Sequence, residues 1–333
     1  MESNTTIANI NIKKYPPLPE KYLEEHEKNY KTEAVGMSFE ILNTRTSIAN
    51  GLRRMMNYEM DILVLDIERK HFDSDDEHII FDNIRKRLQL LRIKQISNMT
   101  FYVDVKNDTD EIIDIYSSDI KEYERSKEEM FTPFKVIAHL YPGKYLKIEN
   151  IKVIAGNSEN ASTRHQIDGN VMYECLDLHK FSDDSKKLPS SMEIPQRNYR
   201  ITIRPQSYFH PIHIVKLAIK NIIDRIKVIY DILINNKDND TFFLKKATLI
   251  KEKKDFYIYK LFGETNTMGN LISERVREDS KAFITFQHEH QEDYHIFIKI
   301  RTKRNPNVLI APSLKKLIVE FEKIDKSFNS NSS

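Results

Sequence analysis

The chain is predicted to be an α+β protein on three observations: two long amphipathic helices, a repeat at an offset of 220 residues, and a β-rich stretch lying inside the first copy of that repeat. From Pro211 to Asn235, apolar residues fall at Ile212, Val215, Ile219, Ile222, Ile226, Ile229 and Leu233, alternating steps of three and four as one face of a helix requires. From Pro312 to Phe328 the same alternation gives Leu314, Leu317, Phe321, Ile324 and Phe328. Pro211 and Pro312 each suit a first helical turn, where no amide partner is needed. Each stripe demands an apolar partner, either the other helix or the sheet of its own unit.

The repeat appears when the chain is laid on itself. Phe39-Glu40-Ile41-Leu42 falls on Tyr259-Lys260-Leu261-Phe262, both readable as strands. Ser47-Ile48-Ala49-Asn50-Gly51-Leu52 falls on Thr267-Met268-Gly269-Asn270-Leu271-Ile272, and Ile62-Leu63-Val64 on Ala282-Phe283-Ile284. Each copy therefore reads strand, helix, strand. Ser47, Thr267 and Asn270 are expected to cap the repeated helices, since a hydroxyl or amide oxygen accepts from the orphan amides of a first turn.

The expected organisation follows. Residues 1–33 form an N-terminal arm, 34–96 with 201–236 a first unit, 97–200 a β-rich insert, 237–328 a second unit and 329–333 a disordered tail. Within the insert, strands are expected over Thr100–Val105, Glu111–Tyr116, Tyr145–Ile154, Val171–Leu178 and Arg200–Ile203. Asp73 to Glu77 read as the loop that starts a helix carrying Ile80, Ile84, Leu88 and Leu91 on one face.

Composition excludes several classes of function. Lys plus Arg number 52 against 50 Asp plus Glu, so no large basic excess marks a protein that grips nucleic acid through phosphates. Seven scattered glycines allow neither of the glycine-rich phosphate-binding motifs, and the single cysteine, Cys175, rules out zinc sites built on cysteine clusters. No apolar run approaches a membrane span or a secretory signal, so an intracellular, soluble protein is expected. No nucleophile–base pair can be read from spacing. His288, His290 and His295 read as solvent-facing strand histidines, with zinc ligation the alternative.

At the repeated motif the sequence resembles a family. Phe39 to Leu91 is similar to the first dimerisation segment of alpha-like subunits of multisubunit DNA-directed RNA polymerases, where a strand leads into a helix of the form S/A-x-A-N-x-L-R-R, here Ser47 to Arg54. Gln89 stands where that family carries a glycine. Glu264 to Ile272 is similar to the E-D-H-T-L-G-N-L-L run of the smaller partner, archaeal L or the eleventh subunit of the nuclear enzyme, although its Asp-His pair is absent. The resemblance implies a fusion of archaeal D-like and L-like subunits, as in forms associated with large DNA viruses.

It further implies two dimerisation modules paired through their long helices at Val215, Ile219, Ile222, Ile226, Ile229, Leu317, Phe321 and Ile324. The first repeated helix would present Asn50, Arg53 and Arg54 to the two largest polymerase subunits. Two arginines on one helix are costly to bury unpaired, so they need carboxylates or carbonyls in the chain or on a partner. Small subunits similar to the tenth and twelfth of the nuclear enzyme are the other partners implied, with no metal, cofactor or reaction centre in this chain. The location implied is cytoplasm or virion for a viral protein and nucleus for a cellular one. The alternative is a stand-alone nucleic-acid-binding adaptor using lysine-rich surface such as Lys299 to Arg304.

Overall fold

The computed structural model describes residues 5–15, 34–60, 62–91, 93, 99–123, 135–156, 171–177, 196–203, 210–235, 246–253, 255–280, 282–288 and 295–331. The chain is mixed α+β with several antiparallel sheets. It opens with β1 (Thr6–Tyr15) paired to β2 (Ala34–Thr44), whose register shifts between Ala8 and Asn11, where Asn9 adopts a positive φ of 52°. Helix α1 (Thr46–Arg54) runs into a single wide π turn over Met55–Glu59, closed by the Met60 amide on the Met55 carbonyl at 3.2 Å.

Then come β3 (Ile62–Asp66), β4 (Phe72–Ser74), α2 (Phe81–Leu90), β5 (Thr100–Lys106), β6 (Ile113–Tyr116), β7 (Lys121–Glu122), β8 (Val136–Leu140) and β9 (Tyr145–Gly156). β10 (Val171–Cys175) and β11 (Arg197–Ile203) lead to α3 (Pro211–Asn235). The remainder is β12 (Lys246–Lys253), β13 (Phe256–Phe262), α4 (Asn266–Ser280), β14 (Phe283–Gln287), β15 (His295–Arg301) and α5 (Asn307–Asn331).

Two four-stranded sheets have matching strand orders, β1-β2-β11-β10 and β12-β13-β15-β14. Each is built as strand, strand, helix, strand, strand, long helix. In the first, the described residues between the π turn and β10 form a further sheet, β3-β9-β5-β7, with β4 also on β9, beside the pair β6-β8 and α2. That structure has its own core, from Leu65 to Ile151, including Leu88, Phe101, Ile137 and Ile148. Asp66 on β3 anchors α2, accepting from Arg85 at 2.6 and 2.8 Å and from Gln89 at 2.7 Å.

These pairings move several expected boundaries. The inserted core begins at Leu65, not at 97, because β3 pairs with β9 rather than joining the first sheet. Ile62-Leu63-Val64 is therefore not the counterpart of 282–284; β10 takes the place in the first sheet that β14 takes in the second. β10 and β11, assigned to the insert from sequence, belong to the first sheet. The arm contains a regular strand, since 6–15 pairs with β2 and lies along α5, where Ser327 accepts from the Ile7 amide at 3.0 Å. The expected tail is helical to Asn331, and Phe328 is buried edge-on against Phe39 of β2 at 5.4 Å.

The long helices pack on each other. Val215, Ile219, Ile222, Ile226 and Ile229 of α3 share one core with Leu317, Phe321 and Ile324 of α5, and with both four-stranded sheets. The end of α3 meets the start of α5, where Asn307 donates to the Leu233 carbonyl at 3.1 Å. Ile214, Ala218 and Ile232 are buried as well, so the apolar stripe of α3 is wider than a two-helix seam needs. No helix among the described residues is long and apolar enough to cross a membrane.

Candidate functional site

The two repeated motifs meet. α1 crosses α4, and the crossing is close because Gly51 has no side chain: a β-carbon there would lie 3.3 Å from Leu271. Gly51 and Leu271 are the positions that the 220-residue offset equates. On the α4 side Gly269 makes the matching close approach to its own sheet, with Phe286 only 2.8 Å from the β-carbon position. Beside this crossing opens a cleft of about 130 Å³ lined by Ser47, Asn50, Arg54, Asn266, Thr267 and Asn270, with Gly51 and Phe286. It offers amide, hydroxyl and guanidinium groups that can hydrogen-bond the backbone or polar side chains of an inserted segment.

None of the three expected caps caps a helix. Arg45 occupies the position before α1, and no side chain there bonds the first turn. Ser47 lies inside the helix, buried, and its hydroxyl has no hydrogen-bond partner among the described residues. The start of α1 is served from the other helix instead, by Glu274 of α4, whose carboxylate accepts from the Ser47 amide at 3.2 Å. The Thr267 hydroxyl is bonded to Glu59 and accepts from Arg54 at 2.8 Å. Asn270 is exposed in the second turn of α4, on the wall of the cleft. The motif's polar residues face across the crossing, which a reading of one helix at a time cannot reveal.

Arg53 and Arg54 separate. Arg54 points inward, with its Nε 3.3 Å from Glu59. Arg53 stays half-buried on the surface, bonded to Asn50 at 3.0 Å and lying over the Tyr173 ring at 5.5 Å.

Behind the cleft lie two buried charge clusters that the sequence reading missed. In the first, Arg225 of α3, 5 % exposed, reaches Glu59 at 3.1 Å and Glu264 at 2.6 Å, and Thr265 donates to Glu59 at 2.8 Å. Burial holds the Glu264 carboxyl above its ordinary range, and nearby Glu59 adds to this while Arg225 opposes it. In the second, Glu320 of α5, 3 % exposed, is bonded to Arg45 and lies 3.5 Å from Arg275. Arg45 is 1 % exposed and also meets Glu278 at 3.3 Å; Arg275 meets Glu278 at 3.2 Å and Asp279 at 3.3 Å. Both clusters had a signal in the sequence. A charged residue directly precedes a seam residue on each helix, Arg225 before Ile226 and Glu320 before Phe321.

Elsewhere, His295 packs edge-on against Phe297 at 5.0 Å, and His290 lies outside the described residues. Among the described residues there is no group of three or more His, Cys, Asp or Glu placed to hold a metal ion. No protein-family model matches the chain, and no curated protein matches it.

Proposed function

We propose that this chain is a non-catalytic assembly platform of a multisubunit DNA-directed RNA polymerase: an alpha-like subunit in which two dimerisation units share one polypeptide and pair in cis. The first unit comprises β1, β2, α1, β10, β11 and α3, interrupted by the inserted domain. The second comprises β12 to β15 with α4 and α5. One observation carries the reading: the helices bearing the repeated motif cross with Gly51 on Leu271, two positions equated by the repeat itself. When two copies of a unit are related by a two-fold axis, equivalent residues touch where the axis passes through their interface. The matching strand orders and the packing of α3 on α5 support the same relationship.

The mechanism is thermodynamic. Covalent linkage replaces a dimer equilibrium with an effective concentration, so the pair is formed before any partner arrives. The rigid pair offers the α1–α4 cleft and the charge of Arg53 to the two largest subunits, which hold the chemistry. Small subunits similar to the tenth and twelfth of the nuclear enzyme complete the assembly. Purification of the tagged chain from its native source is expected to recover both large subunits. Recovery of neither would contradict the proposal.

A second reading, a single-stranded nucleic-acid-binding adaptor, is favoured by the outer face of the second sheet. There Lys260 pairs across to Phe297, Phe262 to His295, Thr285 to Lys299 and Phe283 to Arg301. Lys260 lies over Phe262 and Phe297 at 4.7 and 5.3 Å, and no residue of β13, β14 or β15 on this face is acidic. Stacking surfaces interleaved with cations suit unpaired bases. Submicromolar binding of an oligonucleotide that weakens steeply with salt would favour this reading over the platform.

A further inference from the structure

The two buried clusters are the same construction with the signs reversed. In each, the charged residue before a central seam position on the long helix meets one charge from its own unit and one from the other unit. Arg225 meets Glu59 of its own unit and Glu264 of the second. Glu320 meets Arg275 of its own unit and Arg45 of the first. Arg45 and Glu264 sit in the short connections that lead into α1 and α4, so each unit presents its connection to the other unit's long helix. We infer that these clusters make the pairing face selective: each unit fits the other and rejects its own kind, so a second copy of this chain can associate only by reciprocal exchange. The inference rests on the proposed pairing of the two units.

The reason is charge balance at buried positions. Were two first units to pair, Thr44 and Arg45 would replace Glu264 and Thr265, the positions that the repeat equates with them. Arg225 and Arg45 would then face the single carboxylate of Glu59. Were two second units to pair, Glu264 and Thr265 would replace Thr44 and Arg45, bringing Glu264 beside Glu320, Glu278 and Asp279 with Arg275 the cation left to that cluster. A buried charge without its counterion is strongly destabilising, whereas a balanced buried pair adds little over apolar residues of the same size. Such clusters therefore discriminate between partners more than they stabilise the right one. The apolar seams cannot discriminate, because both helices present the same spacing.

The test exchanges the two seam charges in the full chain. In R225E/E320R the cis pairing gathers three carboxylates in one cluster and sets three arginines against Glu278 and Asp279 in the other, while like-with-like pairing gives each cluster the charge balance that the wild-type chain has in cis. Wild-type protein is expected to show the mass of one chain by light scattering, and R225E/E320R to shift to two-chain or larger species as its concentration rises. A folded R225E/E320R that keeps the mass of one chain overturns the inference. Should that variant fail to fold, R225E and R225E/E264R decide the matter by their thermal midpoints. The single substitution is expected to lower the midpoint by about 10 °C, and the second, which restores the charge from across the interface, to recover at least half of the loss; no recovery overturns the inference. Both readouts use the isolated chain, so a failure to capture polymerase subunits would count against the platform and leave this result standing.

Discussion

Arg225 and Glu320 hold the same place on two helices, carry opposite charges, and are each buried among partners of the opposite sign. Both are buried, 5 % and 3 % exposed, so each depends on counterions delivered by neighbouring elements. Glu59 reaches Arg225 because the wide turn at the end of α1 directs that stretch toward α3. Arg45 reaches Glu320 because it stands at the junction of β2 and α1, and the hydroxyl of Thr5, the residue before β1, also donates to Glu320 at 3.4 Å. The polar core of the molecule thus joins charges carried on the helices, Arg225, Arg275 and Glu320, to counterions in the turns and connections beside them, Glu59, Glu264 and Arg45.

The two arginines of the repeated motif should behave differently. Arg54→Ala removes a partner of buried Glu59 and of Thr267 and is expected to cost about 1–3 kcal/mol in urea unfolding. Arg53→Ala, on the surface, is expected to stay within about 0.5 kcal/mol of the wild type yet to weaken capture of a large subunit. Equal stability losses would show that Arg53 also has a structural task.

Gly269 and Gly51 form a second contrast. A methyl group at 269 would meet the Phe286 ring at 2.8–2.9 Å and Ile296 at 3.0 Å, with sheet and helix on either side. Gly269→Ala is expected to lower stability by about 1–3 kcal/mol through overpacking. At 51 the obstacle is the end of the Leu271 side chain at 3.3 Å, which can rotate, and alanine also favours helix. Gly51→Ala is therefore expected to be close to neutral in the same measurement.

Ile222→Asp puts a carboxylate in the fully buried seam of α3. A loss of about 4 kcal/mol or more is expected. An unchanged melting midpoint would show that the seam is open to solvent.

Acid stability has a defined sign. Burial raises the Asp279 carboxyl, but hydrogen bonds from Lys316 at 2.9 Å and Ser313 at 2.8 Å, with the charge of Arg275, outweigh it and hold the group below 3.8, its ordinary value. Asp66 is held low in the same way, burial being outweighed by Arg85 and Gln89. As pH falls, the unfolded chain takes up these protons first, so their stabilisation is complete well above pH 4 and is lost below it. Glu264 acts in the opposite sense: its raised carboxyl binds its proton more tightly in the folded state, so its contribution declines as pH rises past the ordinary glutamate value. Urea midpoints between about pH 3 and 6 should show the acid loss flattened in Asp279→Asn.

The sequence was most legible where one face repeats without interruption. α3 spans the predicted Pro211 to Asn235, because its stripe is continuous and Pro211 suits its first turn. α5 begins at Asn307, upstream of the expected Pro312. A proline inside a helix leaves one carbonyl unbonded, here that of Val308, and Val308 is exposed enough for water to serve it. The boundary of the insert was not legible, because β3 pairs with β9 across some ninety intervening residues and no local pattern names a strand's distant partner. The caps failed for a related reason. Ser47 and Thr267 have the chemistry of caps, but Glu274 and Glu59 come from neighbouring elements and determine what those residues bond.

The central claim is that α3 and α5 of one chain pair with each other. Lys315 of α5 lies over the Tyr230 ring of α3 at 5.3 Å, on the solvent edge of that contact. In a Cys175→Ser background, cysteines introduced by Tyr230→Cys and Lys315→Cys can be joined with a short bis-maleimide in dilute protein. The account predicts that mass spectrometry finds the two segments linked in a species of single-chain mass. Linkage confined to two-chain species, or none under conditions that label both thiols, would contradict it.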